Sequence, residues 1–370
     1  MLDRFKARTG LQIRLVVVAA IAESLSGCGT DRPITIGAPA ETKASDSARA
    51  APLDMDLATW RKAMARTPLP KTGCFHASHP RMTWDEVPCV SPPASAHFGP
   101  GAGSNVFTVG AGSGDFIASV SGTTISFAQG RFPTVTNVTS EHGSDGTANR
   151  YSLQLNTNTF VTAACNGVSG CRGWQQFIYT TGFGQILIES WLLFYNNTCI
   201  LPWVSDLRGN CYINSFGPSI AGQPISNLAN LVLIGTAAND TDSVLFDVGN
   251  GEIYSSIMNT VLFTSQGWTS ADFNIFGDSG ASPGANFDDA NATVVVQLTF
   301  ENGSVIAPTC VVGNSTAETN NLSLLSGSCC PYGGIEPAIS FTETNATGVS
   351  RQFCPSNDNF LLIAGEGALL

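Results

Sequence analysis

Val294-Val295-Val296-Gln297-Leu298-Thr299-Phe300 begins as a solid apolar run and then alternates apolar with polar side chains. β-Branched and aromatic residues suit the pleated surface of a strand. A run that opens continuous and closes alternating predicts a strand covered on both sides at one end and on one side at the other. The same pattern repeats outward. Short β-rich runs occur at 107–109, 116–120, 124–127, 151–155, 177–180, 185–195, 231–235, 243–248, 253–257, 260–263, 272–276 and 338–342, bounded by Gly, Asn, Asp and Pro. Turn signals recur every ten to fifteen residues and helical periodicity is weak outside 57–66. This pattern predicts an all-β protein, a two-layer antiparallel β-sandwich of the jelly-roll kind, over residues 106–309.

Eleven cysteines punctuate the chain. Setting Cys28 aside leaves ten, an even number, as a fully bridged exported protein requires. Spacing suggests local clamps: Cys74 with Cys89, Cys165 with Cys171, Cys199 with Cys211, and two bridges among Cys310, Cys329, Cys330 and Cys354. A zinc site would need paired ligand spacings that are missing. Residues 72–105 then read as a disulfide-clamped strap, and 310–370 as a Cys-rich extension packed on the sandwich.

The N-terminus reads as an export signal. Arg4, Lys6, Arg8 and Arg14 precede an apolar run from Leu15 to Ala22 that is too short to span a bilayer. Leu25-Ser26-Gly27-Cys28 resembles the lipobox of bacterial lipoproteins, which implies that 1–27 is removed, that Cys28 is lipidated, and that the protein sits in the bacterial cell envelope. From 28 to 71 Ala, Pro, Ser, Thr and charged residues predominate, the composition of a flexible tether. Eight Asn-x-Ser/Thr sequences are read as by-products of polar loops, because glycosylation belongs to a different export route.

The net charge is −11 and no lysine follows Lys71. A nucleic-acid binder needs clustered cations to displace phosphate counterions, so nucleic acid is excluded as an expected partner. Contact with a membrane is expected through the N-terminal lipid alone, and the protein is expected to be a monomer with no cofactor and no metal.

Several motifs suggest chemistry that their surroundings do not support. Gly277-Asp278-Ser279-Gly280 spells the start of a serine-peptidase signature, but a serine hydroxyl needs a base within hydrogen-bond reach, and His76, His79, His97 and His142 all lack the expected surroundings. Gly280-Ala281-Ser282-Pro283-Gly284 fits a nucleophile elbow without the helix that must follow it. His76 and His79 with Asp85 and Glu86 could offer metal ligands, and Asn239 to Asp242 or Asp288-Asp289 could hold calcium; solvated turns account for each.

A different set carries the functional expectation. Trp174-Gln175-Gln176-Phe177, Glu189-Ser190-Trp191 with Tyr195, and Asp272-Phe273-Asn274 lie on three candidate strands. Residues two apart share a face, so Glu189 and Trp191 look the same way, as do Asp272 and Asn274. Aromatics, amides and carboxylates on one face are what a polymer-binding groove uses.

The order of these elements resembles the glutamic peptidases called eqolisins, exported acid proteases. The resemblance covers roughly 173–300. Gln176 followed by Trp191 and Tyr195 is similar to the family's Gln strand and its Trp-x-x-Trp-Tyr strand, and 271–276 is similar to its Ala-Glu-Trp-x-x-Glu strand. It implies a concanavalin-like sandwich with a catalytic Gln and Glu in its groove. Phe276 stands where the family has its catalytic Glu, so the resemblance leaves Gln176 to polarise a carbonyl and Glu189 or Asp272 to activate water. The expected function is binding of an extended neutral extracellular polymer, glycan or peptide, by Gln176, Glu189, Asp272, Trp174, Trp191, Tyr195 and Asn274. The alternatives are an acid hydrolase built on the same residues and a structural envelope protein without catalysis.

Overall fold

The computed structural model describes residues 55–93 and 115–348, apart from 197, 279–281, 302, 314–315 and 326. The signal sequence, Cys28, His97, the run at 107–109, Ser279, Gly280 and Cys354 lie outside the described residues.

Two large antiparallel sheets face each other. The ten-stranded sheet runs in the order Asp85–Val87, Gly73–Ser78, Glu252–Asn259, Thr241–Asp247, Val232–Ala237, Phe127–Thr136, Thr293–Glu301, Ala338–Thr344, Ser323–Leu324, with Cys330–Tyr332 also paired to Ala338–Thr344. The eight-stranded sheet runs Val204–Ser205, Cys211–Asn214, Gln185–Leu193, Arg172–Thr180, Ser152–Thr157, Ser270–Phe276, Asp115–Ser119, Thr309–Gly313. One apolar core fills the space between them, with Leu153, Leu155, Phe177, Ile188 and Phe273 from one sheet meeting Ala128, Phe132, Leu233, Val296 and Leu298 from the other. The all-β sandwich is therefore the fold.

Thr293–Glu301 alternates more than its composition suggests. Val294, Val296, Leu298 and Phe300 are buried while Val295 is half-buried, and the register against Phe127–Thr136 shifts between Val295 and Gln297. That shift explains why the strand Phe127–Thr136 is hard to see in the sequence. Pro133 cannot donate to a ladder, and here it sits in the bulge, past Arg131, the last residue paired with Val232–Ala237.

The interface is shaped by small residues on one side and rings on the other. A side chain at Gly130 would sit 2.1 Å from the ring of Phe273, and one at Gly235 would sit 2.4 Å from the ring of Phe177. Ala128 lies opposite Gly235 in the ladder. These small residues make a depression in which the two phenylalanines rest.

The described residues add detail to the expected segments. Residues up to 71 do not all form a tether: Asp56 caps the helix Leu57–Met64 by accepting from the Thr59 amide at 3.0 Å. Trp60 and Met64 bury completely against Phe127, Ile234 and Leu245 on the outer face of the ten-stranded sheet, and the Trp60 indole donates to the Arg81 carbonyl at 2.7 Å. The segment after residue 72 carries the expected Cys74–Cys89 clamp and contributes Gly73–Ser78 as a full strand paired with Glu252–Asn259. The segment from about 310, expected as an extension packed on the sandwich, supplies strands to both main sheets, Thr309–Gly313 to one and Ala338–Thr344 to the other. The run at 260–263 is a loop rather than a strand.

Bridges join Cys74 to Cys89, Cys165 to Cys171, Cys199 to Cys211, and Cys310 to Cys329. The first three are the local clamps expected from spacing. Bridges of this number belong to an oxidising, non-cytoplasmic compartment. Among the described residues no helix is long and apolar enough to cross a membrane. Opening the bridge over the six-residue separation of Cys165 and Cys171 with a double Cys→Ser change is expected to cost about 2 kcal/mol. A shift in urea midpoint reads that loss; an unchanged midpoint would show the loop to be held by other means.

Candidate functional site

The candidate site lies on the outer face of the eight-stranded sheet. Side chains alternate across a strand, so Leu155, Phe177, Ile188 and Phe273 turn inward and Asn156, Gln176, Glu189 and Asp272 turn outward. Register then lines these four up. Glu189 pairs with Gln176, Gln176 with Asn156, and Asn156 with Asp272, so one row crosses four adjacent strands. Trp174 and Trp191 are cross-strand partners with ring centroids 6.2 Å apart, and Tyr212 lies 5.3 Å beyond Trp191.

Hydrogen bonds connect Glu189, Gln176 and Asn156. The Trp191 indole donates to Glu189 Oε1 at 2.9 Å and to Gln176 Oε1 at 3.3 Å. Gln176 Nε2 donates to Gln154 Oε1 at 2.8 Å and Asn156 Oδ1 at 3.0 Å. Gln154 passes the chain on to Ser152 Oγ at 2.8 Å and to Glu318. Amide dipoles aligned in this way polarise one another.

One pleat along, Asn274 Nδ2 donates to Asp115 at 2.7 Å and Glu343 at 2.9 Å, and Asn320 also faces Glu343. Burial, then the negative charges of Asp272 and Glu343, push the Asp115 carboxyl well above its usual range; Asn274 opposes them. Burial pushes Glu343 up to about 8, against hydrogen bonds from Asn274 and Asn320. Carboxyls so close share protons instead of all ionising.

No protein-family model matches this chain, and no curated protein matches it. Its site is defined by its own geometry.

Sequence reading and structure agree on part of the set. Gln176, Glu189, Trp174, Trp191 and Asp272 come together on one face as expected. Asn274 belongs to the neighbouring carboxyl cluster rather than the row. Tyr195 stands apart, packed with Phe160, Trp203 and Leu262 in a second small core at the sheet's end. The face is also not an open groove: Trp174, Gln176, Glu189, Asp272 and Asn156 are each at most 1% exposed and Trp191 is 2% exposed.

Gln154 and Asn156 were missed, although the alternation Leu153-Gln154-Leu155-Asn156 carried the signal. Asp115, Glu318, Asn320 and Glu343 arrive from distant segments of the chain and no local pattern announces them.

The remaining motifs resolve into structural roles. Asp278 accepts from the Thr180 hydroxyl and from the Gly182 amide at 2.7 Å, and His142 rests on Asp288 at 2.5 Å. His76 contacts Glu252, while His79 meets the Met55 carbonyl at 2.8 Å. Asp289 caps the turn at Thr139 and Ser140.

Proposed function

We propose that the outer face of the eight-stranded sheet recognises an extended neutral polymer, glycan or polypeptide, lying across the strands. The observation that supports this reading is the register itself, which sets Glu189, Gln176, Asn156 and Asp272 in one transverse line beside three aromatic rings. Two amides flanked by two carboxyls at strand spacing offer repeated polar partners to a ligand with repeating polar groups. Because the row is enclosed, binding exchanges intramolecular contacts for intermolecular ones, and affinity is the difference between the two.

Purified protein titrated with neutral glucan, xylan and mannan oligomers and with an unfolded, uncharged polypeptide tests this. One of them is expected to bind, at least tenfold more weakly to Trp191→Ala than to the wild type, while circular dichroism is unchanged. Absence of binding to every probe, or indifference to the Trp191 change, rejects the reading.

A second reading, hydrolysis of that polymer in acid, is favoured by one specific contact. Glu189 and Gln176 are direct ladder neighbours joined by the Trp191 indole; on this reading Glu189 would act as general base and the neighbouring Gln176 amide would steady an oxyanion. Cleavage of unfolded protein between about pH 2 and 7 that is lost in Glu189→Gln and Gln176→Ala separates hydrolysis from binding. The resemblance to glutamic peptidases points the same way, and attachment to the bacterial envelope through Cys28 completes the proposal.

A further inference from the structure

We infer that the end of the sandwich built on the second small core docks on a phospholipid bilayer. That core holds Phe160, Leu192, Tyr195, Trp203 and Leu262 together with two bridges, Cys165–Cys171 and Cys199–Cys211. Three loops run over it. The first follows Phe160, the second spans the Cys199–Cys211 bridge, and the third follows Leu262; the Thr162 hydroxyl donates to the Leu262 carbonyl at 2.7 Å and ties the first to the third.

These loops, and the turn at Phe194 that precedes the second of them, hold large apolar side chains toward solvent. Leu201 is 94% exposed, Leu207 83%, Val161 75%, Phe194 56%, Ile200 43% and Phe263 40%. Scattered exposed leucines mean nothing, but a group carried on loops that cover one small core and are stapled by two bridges marks an interaction site.

Backbone conformation gives an independent sign. Among the described residues the non-glycine positions with positive φ are all Asn except Phe194 at 55°, Leu207 at 62° and Phe263 at 57°. Asparagine tolerates this region, whereas bulky apolar residues pay for it. All three belong to this one end, so the loops hold apolar side chains outward at a conformational cost that packing does not return.

Charge selects the partner. After Arg150 the described chain has two cationic side chains, Arg172 and Arg208, both exposed and both flanking this end. Asp206, the acid within the Cys199–Cys211 loop, is occupied by the amides of Arg208 at 2.7 Å and Asn210 at 3.0 Å. A protein of net charge −11 thus reserves two guanidinium groups for the rim of its apolar tip. Apolar tips entering the acyl boundary with arginines at phosphate depth is the arrangement of interfacial membrane binding. The two bridges limit collapse of the loops, so little ordering is lost on docking.

Flotation with vesicles of phosphatidylcholine and phosphatidylglycerol tests the inference. Wild-type protein is expected to float with the vesicles and to remain bound in high salt, because apolar insertion dominates. Leu201→Ser/Leu207→Ser should weaken partitioning by about a hundredfold, about tenfold per leucine, and Arg172→Ala/Arg208→Ala by a few fold, both with unchanged circular dichroism. Wild-type protein left in the buffer fraction, equal flotation of the leucine variant, or a dimer in size-exclusion chromatography that the leucine variant dissolves would each overturn it.

Discussion

Gly130→Ala is expected to destabilise the fold by about 3 kcal/mol. The added methyl would lie 2.1–2.4 Å from three carbons of the Phe273 ring, and that ring is fully buried against Phe132 at a centroid distance of 5.2 Å. Interiors are packed as densely as organic crystals, so neither sheet can retreat without opening space elsewhere. Gly235→Ala should behave alike, since its methyl meets the Phe177 ring. Coupling distinguishes this cause from a general loss of strand propensity. Phe273→Ala alone costs about 3–5 kcal/mol through its cavity, but in the Gly130→Ala/Phe273→Ala pair the new methyl has room, so the double cost should fall short of the sum by about 1 kcal/mol or more. Chemical denaturation of the four proteins checks this, and strict additivity would refute the ring-on-glycine account.

The second large effect is on pH dependence. Burial pushes Glu343 and Glu141 each from an ordinary 4.5 up to about 8, raises Asp242 from 3.8 to about 6, and raises Asp115 well above its usual value. Between those limits the folded chain keeps protons that the unfolded chain releases, so stability must fall as pH rises. The contribution is complete below about pH 4 and lost progressively from about pH 4.5 to about 8. Asp56, Asp145 and Asp289 are shifted the other way by hydrogen bonds, but Asp56 and Asp145 are exposed and Asp289 half-exposed, so they add little. A loss of several kcal/mol between pH 4.5 and 8 is expected from urea unfolding, and Glu343→Gln with Glu141→Gln should remove roughly half of it. A midpoint that holds constant or climbs over this range would contradict the assignment. An acid-favoured fold is also what a hydrolase working in acid would need.

How far the sequence could be read depended on where each signal lay. Local patterns were legible: runs of β-branched residues announced most strands, and Cys pairs six to fifteen apart announced their own bridges. Gln176, Glu189 and Trp191 could be grouped because Arg172–Thr180 and Gln185–Leu193 form a hairpin with a short connection. Phe127–Thr136 was hidden because Gly130 and Pro133 read as breakers, whereas one makes room for a ring and the other occupies a bulge. Trp60 was hidden in a polar stretch because one fully buried ring and its capped helix leave a weak period. The carboxyl cluster was out of reach: Asp115, Asp272 and Glu343 meet only after both sheets have closed, and nothing near each of them in the chain foretells the others.

The ladder order of the ten-stranded sheet has a consequence for when this protein can fold. Phe127–Thr136 leans on Thr293–Glu301, which in turn leans on Ala338–Thr344, close to the last described residue. Until that final segment has emerged, Thr293–Glu301 is an uncovered border with bare amides and carbonyls, ready to recruit a neighbouring molecule. Such long-distance pairing is slow. A nascent chain released early, or truncated before residue 338, would therefore be prone to clump and could not persist as a smaller working version of itself.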